Sequence, residues 1–140
     1  MKTLGPQKVA ETIGKSGCLY LCYIKLAHLL NVSFINDCYI LADAVTSYNY
    51  LVDKGIIDAD CYVNEPVQLV EHIMPDKKFS IEKIYEIPAD APDYIVTYNG
   101  KHFTIANKSG EIVWDPLGED HIAVAKMTPA ESYRILRKVK

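Results

Sequence analysis

No stretch of this 140-residue chain approaches the roughly 18 uncharged apolar residues that a bilayer-spanning helix requires, and Met1-Lys2-Thr3-Leu4-Gly5-Pro6 has no apolar signal core. Membrane insertion and export are therefore not expected, and a cytoplasmic location is. Neither sign of charge is in large excess. The 15 basic and 18 acidic residues are spread along the chain and give a net charge of -3, so no basic face points to nucleic acid or anionic lipid as a partner. Low-complexity linkers and internal repeats are absent as well. With 49% hydrophobic residues, a chain of this length can bury one substantial core and little more, so residues 1–140 are read as a single domain.

Cysteine is present but not in a pattern that demands disulfides or metal. Cys18, Cys22, Cys38 and Cys61 could form two bridges, but a chain with its own core and no secretion signal is expected to keep them reduced. Cys18 and Cys22 lie four apart, with His28 and His72 elsewhere. No second Cys-x-x-Cys or His-x3-His pair completes a structural zinc set, so no metal or other cofactor is expected. Cys38 and Cys61 are read as packing residues.

Periodicity divides what is there into a helical first half and a strand-rich second half. Leu19, Cys22, Tyr23, Leu26, Leu29 and Leu30 recur at helical spacing and predict a helix from about Gly17 to Leu30. Asn36 or Asp37 can cap a second helix carrying Ile40, Leu41, Ala44, Val45, Tyr48 and Leu51 to a stop near Gly55. Its tyrosine-rich middle is a candidate break. A third, short helix is predicted over Glu65 to Met74, capped by Asn64, with Pro66 in its first turn and Pro75 ending it. Strands follow at 79–84, 94–98, 102–106 and 111–114, and the tail from Glu131 to Val139 is read as a last strand. Asn99-Gly100 is the strongest hairpin signal, because both residues accept the positive φ of a type I′ turn. The expected architecture is α+β, with N-terminal helices packed against a C-terminal antiparallel sheet.

Within that frame three residues stand in a suggestive order: Cys18 opening a helix, His102 on a strand, and Asp115 at the end of the next. A thiol at a helix N-terminus meets unpaired N–H groups and the positive end of the helix dipole, and an imidazole beside it can form an ion pair. A carboxylate on the far side of the ring fixes its tautomer. The set predicts a cysteine hydrolase that forms a thioester on Cys18, with His102 as base and then acid. Register can bring the last two together: a loop over 107–110 pairs Ala106 with Glu111 and sets His102 opposite Asp115. A three-residue loop at 108–110 with a bulge shifts the pairing by one and can separate them.

Gly17-Cys18 opening a helix, His102-Phe103 on a strand and Asp115-Pro116 ending the next one together resemble C39-like peptidases of the papain-like superfamily. The resemblance implies a papain-like fold, a Cys18–His102–Asp115 triad and a peptide or protein substrate. The family pattern also carries a glutamine upstream of the cysteine as an oxyanion donor. Gln7 is the only glutamine before Cys18; Asn36 or a second backbone amide could serve instead. Small residues often follow the cysteine in that family, whereas this chain has Leu19-Tyr20. Two other classes stay open: a cell-wall peptide amidase of the same chemistry, and a non-catalytic binding module. The module is suggested by Tyr20, Tyr23, Tyr39, Tyr48, Tyr50 and Tyr62, which are either core or an adhesive surface. His28 is placed near a helix end facing unpaired carbonyls, and His121 in a loop-like segment without an identifiable partner.

Overall fold

The protein is described from a computed structural model that covers residues 3–30 and 36–139. It is α+β, with five α-helices and a five-stranded antiparallel sheet. The helices are α1 (Pro6–Ser16), α2 (Cys18–Leu29), α3 (Asp37–Asp53), α4 (Pro66–Ile73) and the single-turn α5 (Ile122–Ala125), which is preceded by a 3-10 turn, Glu119–His121. The strands are β1 (Lys78–Ile84), β2 (Tyr94–Tyr98), β3 (Phe103–Asn107), β4 (Ile112–Trp114) and β5 (Ser132–Val139), in the spatial order β1-β5-β2-β3-β4. The tail is the strand expected of it, and it fills the gap between β1 and β2.

Helix α2 is the hub. Tyr20, Cys22, Tyr23, Ile24, Lys25, Leu26 and Ala27 are all buried, so the helix is enclosed on every side rather than along one stripe. It packs against α3, α4 and the inner faces of β2 and β3, where Val96 and Ile105 join the same core. Two tyrosine hydroxyls taken into this core are satisfied: that of Tyr20 donates to Ala44 O at 2.6 Å, and that of Tyr48 to Ala59 O. Tyr20 is thus a core residue that turns away from the surface, while Leu19 is half-buried and lines a hollow together with Cys18. Helix α3 runs unbroken, because Tyr48 turns inward while Tyr39 and Tyr50 turn to solvent. Asn36 caps it, its side chain accepting from Cys38 N at 2.8 Å.

Several local expectations need correction. The segment before Cys18, for which no element was expected, forms α1, started by Pro6 and anchored by buried Val9 and Ile13. Cys38 is exposed rather than packed; Cys61 is buried, at a φ of 70°. His28 donates to Asp43 Oδ2 at 2.9 Å rather than to helix-end carbonyls. Asn99-Gly100 is not a two-residue turn: Tyr98 pairs with Phe103, leaving a four-residue loop in which Asn99 Oδ1 accepts from Lys101 N and His102 N at 3.0 and 2.8 Å. That side-chain turn competes successfully with the type I′ geometry.

Candidate functional site

The break between α1 and α2 creates the position of Cys18. One residue, Gly17, separates the helices; its N–H donates to Ile13 O at 2.8 Å, closing α1, and its carbonyl accepts from Leu21 N at 2.8 Å, opening α2. A Cβ at Gly17 would lie 2.7 Å from Ile13 O and 2.9 Å from Ile13 Cγ2, so the tight junction needs glycine. Cys18 therefore begins α2 as its first helical residue, where backbone N–H groups have no carbonyl to meet.

His102 lies not on a strand but at the last position of the loop before β3, and reaches the thiol from there. The Asn99 side chain fixes the loop before it, and Gly100, at a φ of 93°, allows the chain to pass Glu131 where a Cβ would meet its carboxylate. The ring makes a hydrogen bond with Cys18 on one side, and Nε2 donates to Asp115 Oδ1 at 2.7 Å on the other. With Nε2 committed to the carboxylate, Nδ1 is the nitrogen left for the thiol.

Asp115 arrives by two register shifts that compensate each other. Asn107 N donates to Glu111 O at 2.9 Å and Ala106 pairs with Ile112, the three-residue loop of the two alternatives. Continued unchanged, that register would set Asp115 against Phe103, on the face opposite His102. A bulge intervenes: Ile105 pairs with Trp114, leaving Val113 unpaired, and Asp115 regains the parity of His102. Its carboxylate is buried, and besides His102 it accepts from Leu117 N at 2.8 Å and from His121 Nδ1, at 2.7 Å on its second oxygen.

His121 is the functional residue that sequence reasoning missed. Gly118, at a φ of 109°, turns the chain after Pro116, and the 3-10 turn delivers the ring back to Asp115. The His102 and His121 rings meet edge to face with centroids 5.0 Å apart. The available signal was Asp-Pro-x-Gly followed shortly by His, a turn that returns a side chain to the carboxylate. The ligand atoms of His102, Asp115 and His121 also lie within 4.8 Å of one another, so among the described residues these three could hold a metal ion.

The charge distribution favours an activated thiol. Burial opposes the Cys18 thiolate, but the hydrogen bond from His102, the Phe103 N–H, the charge of His102 and the Leu19 N–H together bring the thiol below the ordinary cysteine range. Burial likewise opposes the His102 cation, and its hydrogen bonds and attractions to Cys18 and Asp115 outweigh that and raise it above the usual imidazole range. Cys22, one turn further along α2, goes the opposite way: full burial, then the charges of Cys18 and Asp115, push its thiol up. The two thiols of one helix are thereby shifted in opposite directions.

Gln7 is not part of this arrangement. It is exposed on the first turn of α1, beside Gly5, Pro6, Lys8 and Glu11, while Cys18 follows the other end of that helix. At about 1.5 Å per residue, α1 carries it roughly 13 Å away from its own C-terminus. Asn36 caps α3 instead. Asn99 lines the groove at Cys18, and its side-chain Nδ2 makes no hydrogen bond to another of the described residues.

A groove of about 570 Å³ runs past Cys18, His102 and His121, walled by Leu21, Leu117 and Val124. No helix among the described residues is long and apolar enough to cross a membrane. The fold is thus an α+β domain with a cysteine, two histidines and a buried aspartate converging at one helix N-terminus. A family model described as "Protein of unknown function, DUF261" matches residues 2–138, and the chain belongs to that family. No curated protein and no solved structure matches it.

Proposed function

We propose that the chain is a papain-like, C39-like cysteine peptidase acting by acyl transfer. The observation that carries this reading is the convergence of Cys18, His102 and Asp115, with the 2.7 Å Nε2–Oδ1 hydrogen bond holding the ring toward a helix-terminal thiol. The Cys18 thiolate attacks the amide carbon, and the carbonyl oxygen takes up the charge. The Cys18 N–H and the Asn99 amide are the donors available to it, each worth about 3 kcal/mol in comparable sites. Protonated His102 gives its proton to the amine as the C–N bond breaks, leaving a thioester; His102 then takes a proton from water, which attacks the thioester and releases the acid. Asp115 holds the tautomer throughout, and His121 holds Asp115.

The test is the pH dependence of Cys18 alkylation by iodoacetamide, followed residue by residue by mass spectrometry in the native protein and in His102→Ala. Fast modification below pH 7 that slows in the variant supports the reading. A Cys18 no more reactive than the other thiols and indifferent to His102 removes its chemical basis and leaves a non-catalytic binding module.

One observation favours a second reading: the His102, Asp115 and His121 ligand atoms within 4.8 Å of one another. A divalent ion there would take ring nitrogens and a carboxylate oxygen as ligands at about 2.0–2.2 Å, in place of the hydrogen bonds that His102 and His121 make to Asp115. Metal analysis of the purified protein separates the two. A stoichiometric ion whose chelation speeds Cys18 alkylation favours the metal site; alkylation unchanged by chelation favours the peptidase.

A further inference from the structure

Beyond Cys18, on the side of α2 facing Tyr62 and Pro66, lies a second depression of about 390 Å³ that Cys18 also lines. The two hollows meet at the thiol. Arg134 of β5 stands in the wall of the second one. Of the chain's two arginines, Arg137 pairs with Asp90 at 3.2 Å, whereas Arg134 has no carboxylate partner among the described residues.

Its position is not one that packing would choose. Val96 pairs with both Arg134 and Ile105, so Arg134 lies on the sheet face that supplies Val96, Ile105 and Leu136 to the core beneath α2. An apolar side chain would continue that face, and a guanidinium there loses hydration. Aromatic groups offset part of this loss. Tyr98 and Phe103 stack with centroids 4.3 Å apart, and the guanidinium carbon sits 5.0 Å from the Phe103 ring and 5.5 Å from the Tyr98 ring. Nη1 donates to Ser132 Oγ at 2.7 Å, which fixes the plane and leaves the other N–H groups unused.

Two further observations point the same way. Tyr23, only 2% exposed, lines this pocket, feels the charge of Arg134 and makes no hydrogen bond through its hydroxyl to any of the described residues. Moreover, neither hollow beside Cys18 has an aspartate or glutamate in its wall, though the chain has 18 of them and a net charge of -3. Lys15 and Lys101 line one hollow and Arg134 the other.

We propose that the Arg134 pocket is a carboxylate subsite, with the guanidinium and the Tyr23 hydroxyl as its donors and the Tyr98–Phe103 stack as its floor. The planar fork of an arginine held on aromatic rings matches a carboxylate in a way that a lysine does not. The inference rests on the peptidase reading for one point alone, that the carboxylate belongs to a peptide. Its source is either an acidic side chain near the scissile bond or the C-terminus of the substrate.

Binding is measured by calorimetry on Cys18→Ala protein, so that no turnover intervenes, with three peptides: acetyl-Ala-Glu-Ala-amide, acetyl-Ala-Gln-Ala-amide and acetyl-Ala-Ala-Ala with a free carboxylate. The glutamyl or the free-carboxylate peptide is expected to bind about tenfold more tightly than the glutaminyl one, and whichever gains identifies the source. Arg134→Gln should cut that preference to about twofold or less, while Arg134→Lys keeps part of it and Tyr23→Phe weakens it without removing it. Equal binding of all three peptides, no binding at all, or a preference that survives Arg134→Gln overturns the proposal. Should Arg134→Gln fail to fold, Tyr23→Phe and Arg134→Lys read the same preference. The peptidase reading fails separately, by an unreactive Cys18 in the native protein, and carboxylate discrimination in Cys18→Ala stands or falls without it.

Discussion

His102 and Asp115 come together through a bulge: Val113 is left unpaired, Ile105 pairs with Trp114, and Nε2 of His102 ends 2.7 Å from Oδ1 of Asp115. The aspartate is buried, and His121 takes its second oxygen. A carboxylate with two imidazoles on its two oxygens is positioned far more tightly than one on an exposed strand end. Asp115→Asn keeps the shape, removes the charge and allows the wrong His102 tautomer. Hydrolysis should fall by about 10²–10⁴, with peptide binding to the groove little changed. A kcat within twofold of the native value would mean that Asp115 does not orient the base.

The pH profile follows from the two shifted groups. Cys18 titrates below the ordinary thiol range, so its thiolate adds stability that is present above the unfolded value and lost as pH falls through the folded one. His102 is raised, so its cation adds stability that is present below the unfolded value and lost as pH rises through the folded one. The rate of acylation should therefore be bell-shaped, with Cys18 on the acid limb and His102 on the alkaline limb. His102→Ala should move the alkylation midpoint of Cys18 toward higher pH; an unmoved midpoint contradicts the ion pair.

Gly17→Ala tests the helix junction. Its Cβ would meet a backbone oxygen, Ile13 O, at 2.7 Å, so α1 and α2 must part. A loss of about 1–3 kcal/mol in urea unfolding is expected, together with slower Cys18 alkylation at low pH as the thiol leaves its place. Unchanged stability and reactivity would show that the junction relaxes without consequence.

Gln7→Ala should do nothing to catalysis and change stability by less than about 0.5 kcal/mol, because the side chain is exposed at the far end of α1. Asn99→Ala should slow hydrolysis, since it removes both the amide facing the groove and the cap that holds the His102 loop. If Gln7→Ala proved the more damaging of the two, the oxyanion assignment would have to be reversed.

His121→Ala should lower kcat about tenfold while leaving Cys18 alkylation at high pH unaltered, because the ring acts through Asp115 and does not hold the thiol. His121→Asn, which retains a donor, should restore part of the loss. Equal effects of the two variants on kcat and on thermal stability would assign His121 a packing role only.

The sequence by itself determined the order of the elements other than α1, the 3-10 turn and α5. Apolar spacing around Leu19–Leu30 gives α2, the Asn36 cap gives α3, and alternation gives the strands, because helix and strand periods are local properties of side chains along the backbone. It also pointed to Cys18, His102 and Asp115, in thiol, imidazole, carboxylate order, which the structure brings together. What it left undecided depends on contacts distant in the chain or on small local balances. Val9 and Ile13 signal α1 weakly, since two apolar residues define a buried face only once α3 packs on them. Whether His102 and Asp115 share a face depends on a loop length and a bulge that compensate, and no propensity distinguishes those registers. The second histidine on Asp115, the removal of Gln7 from the thiol by the length of a helix, and the placing of Arg134 beside Cys18 from the last strand were decided by the tertiary structure. Burial and strand pairing bring those groups together, and neither can be counted along the chain.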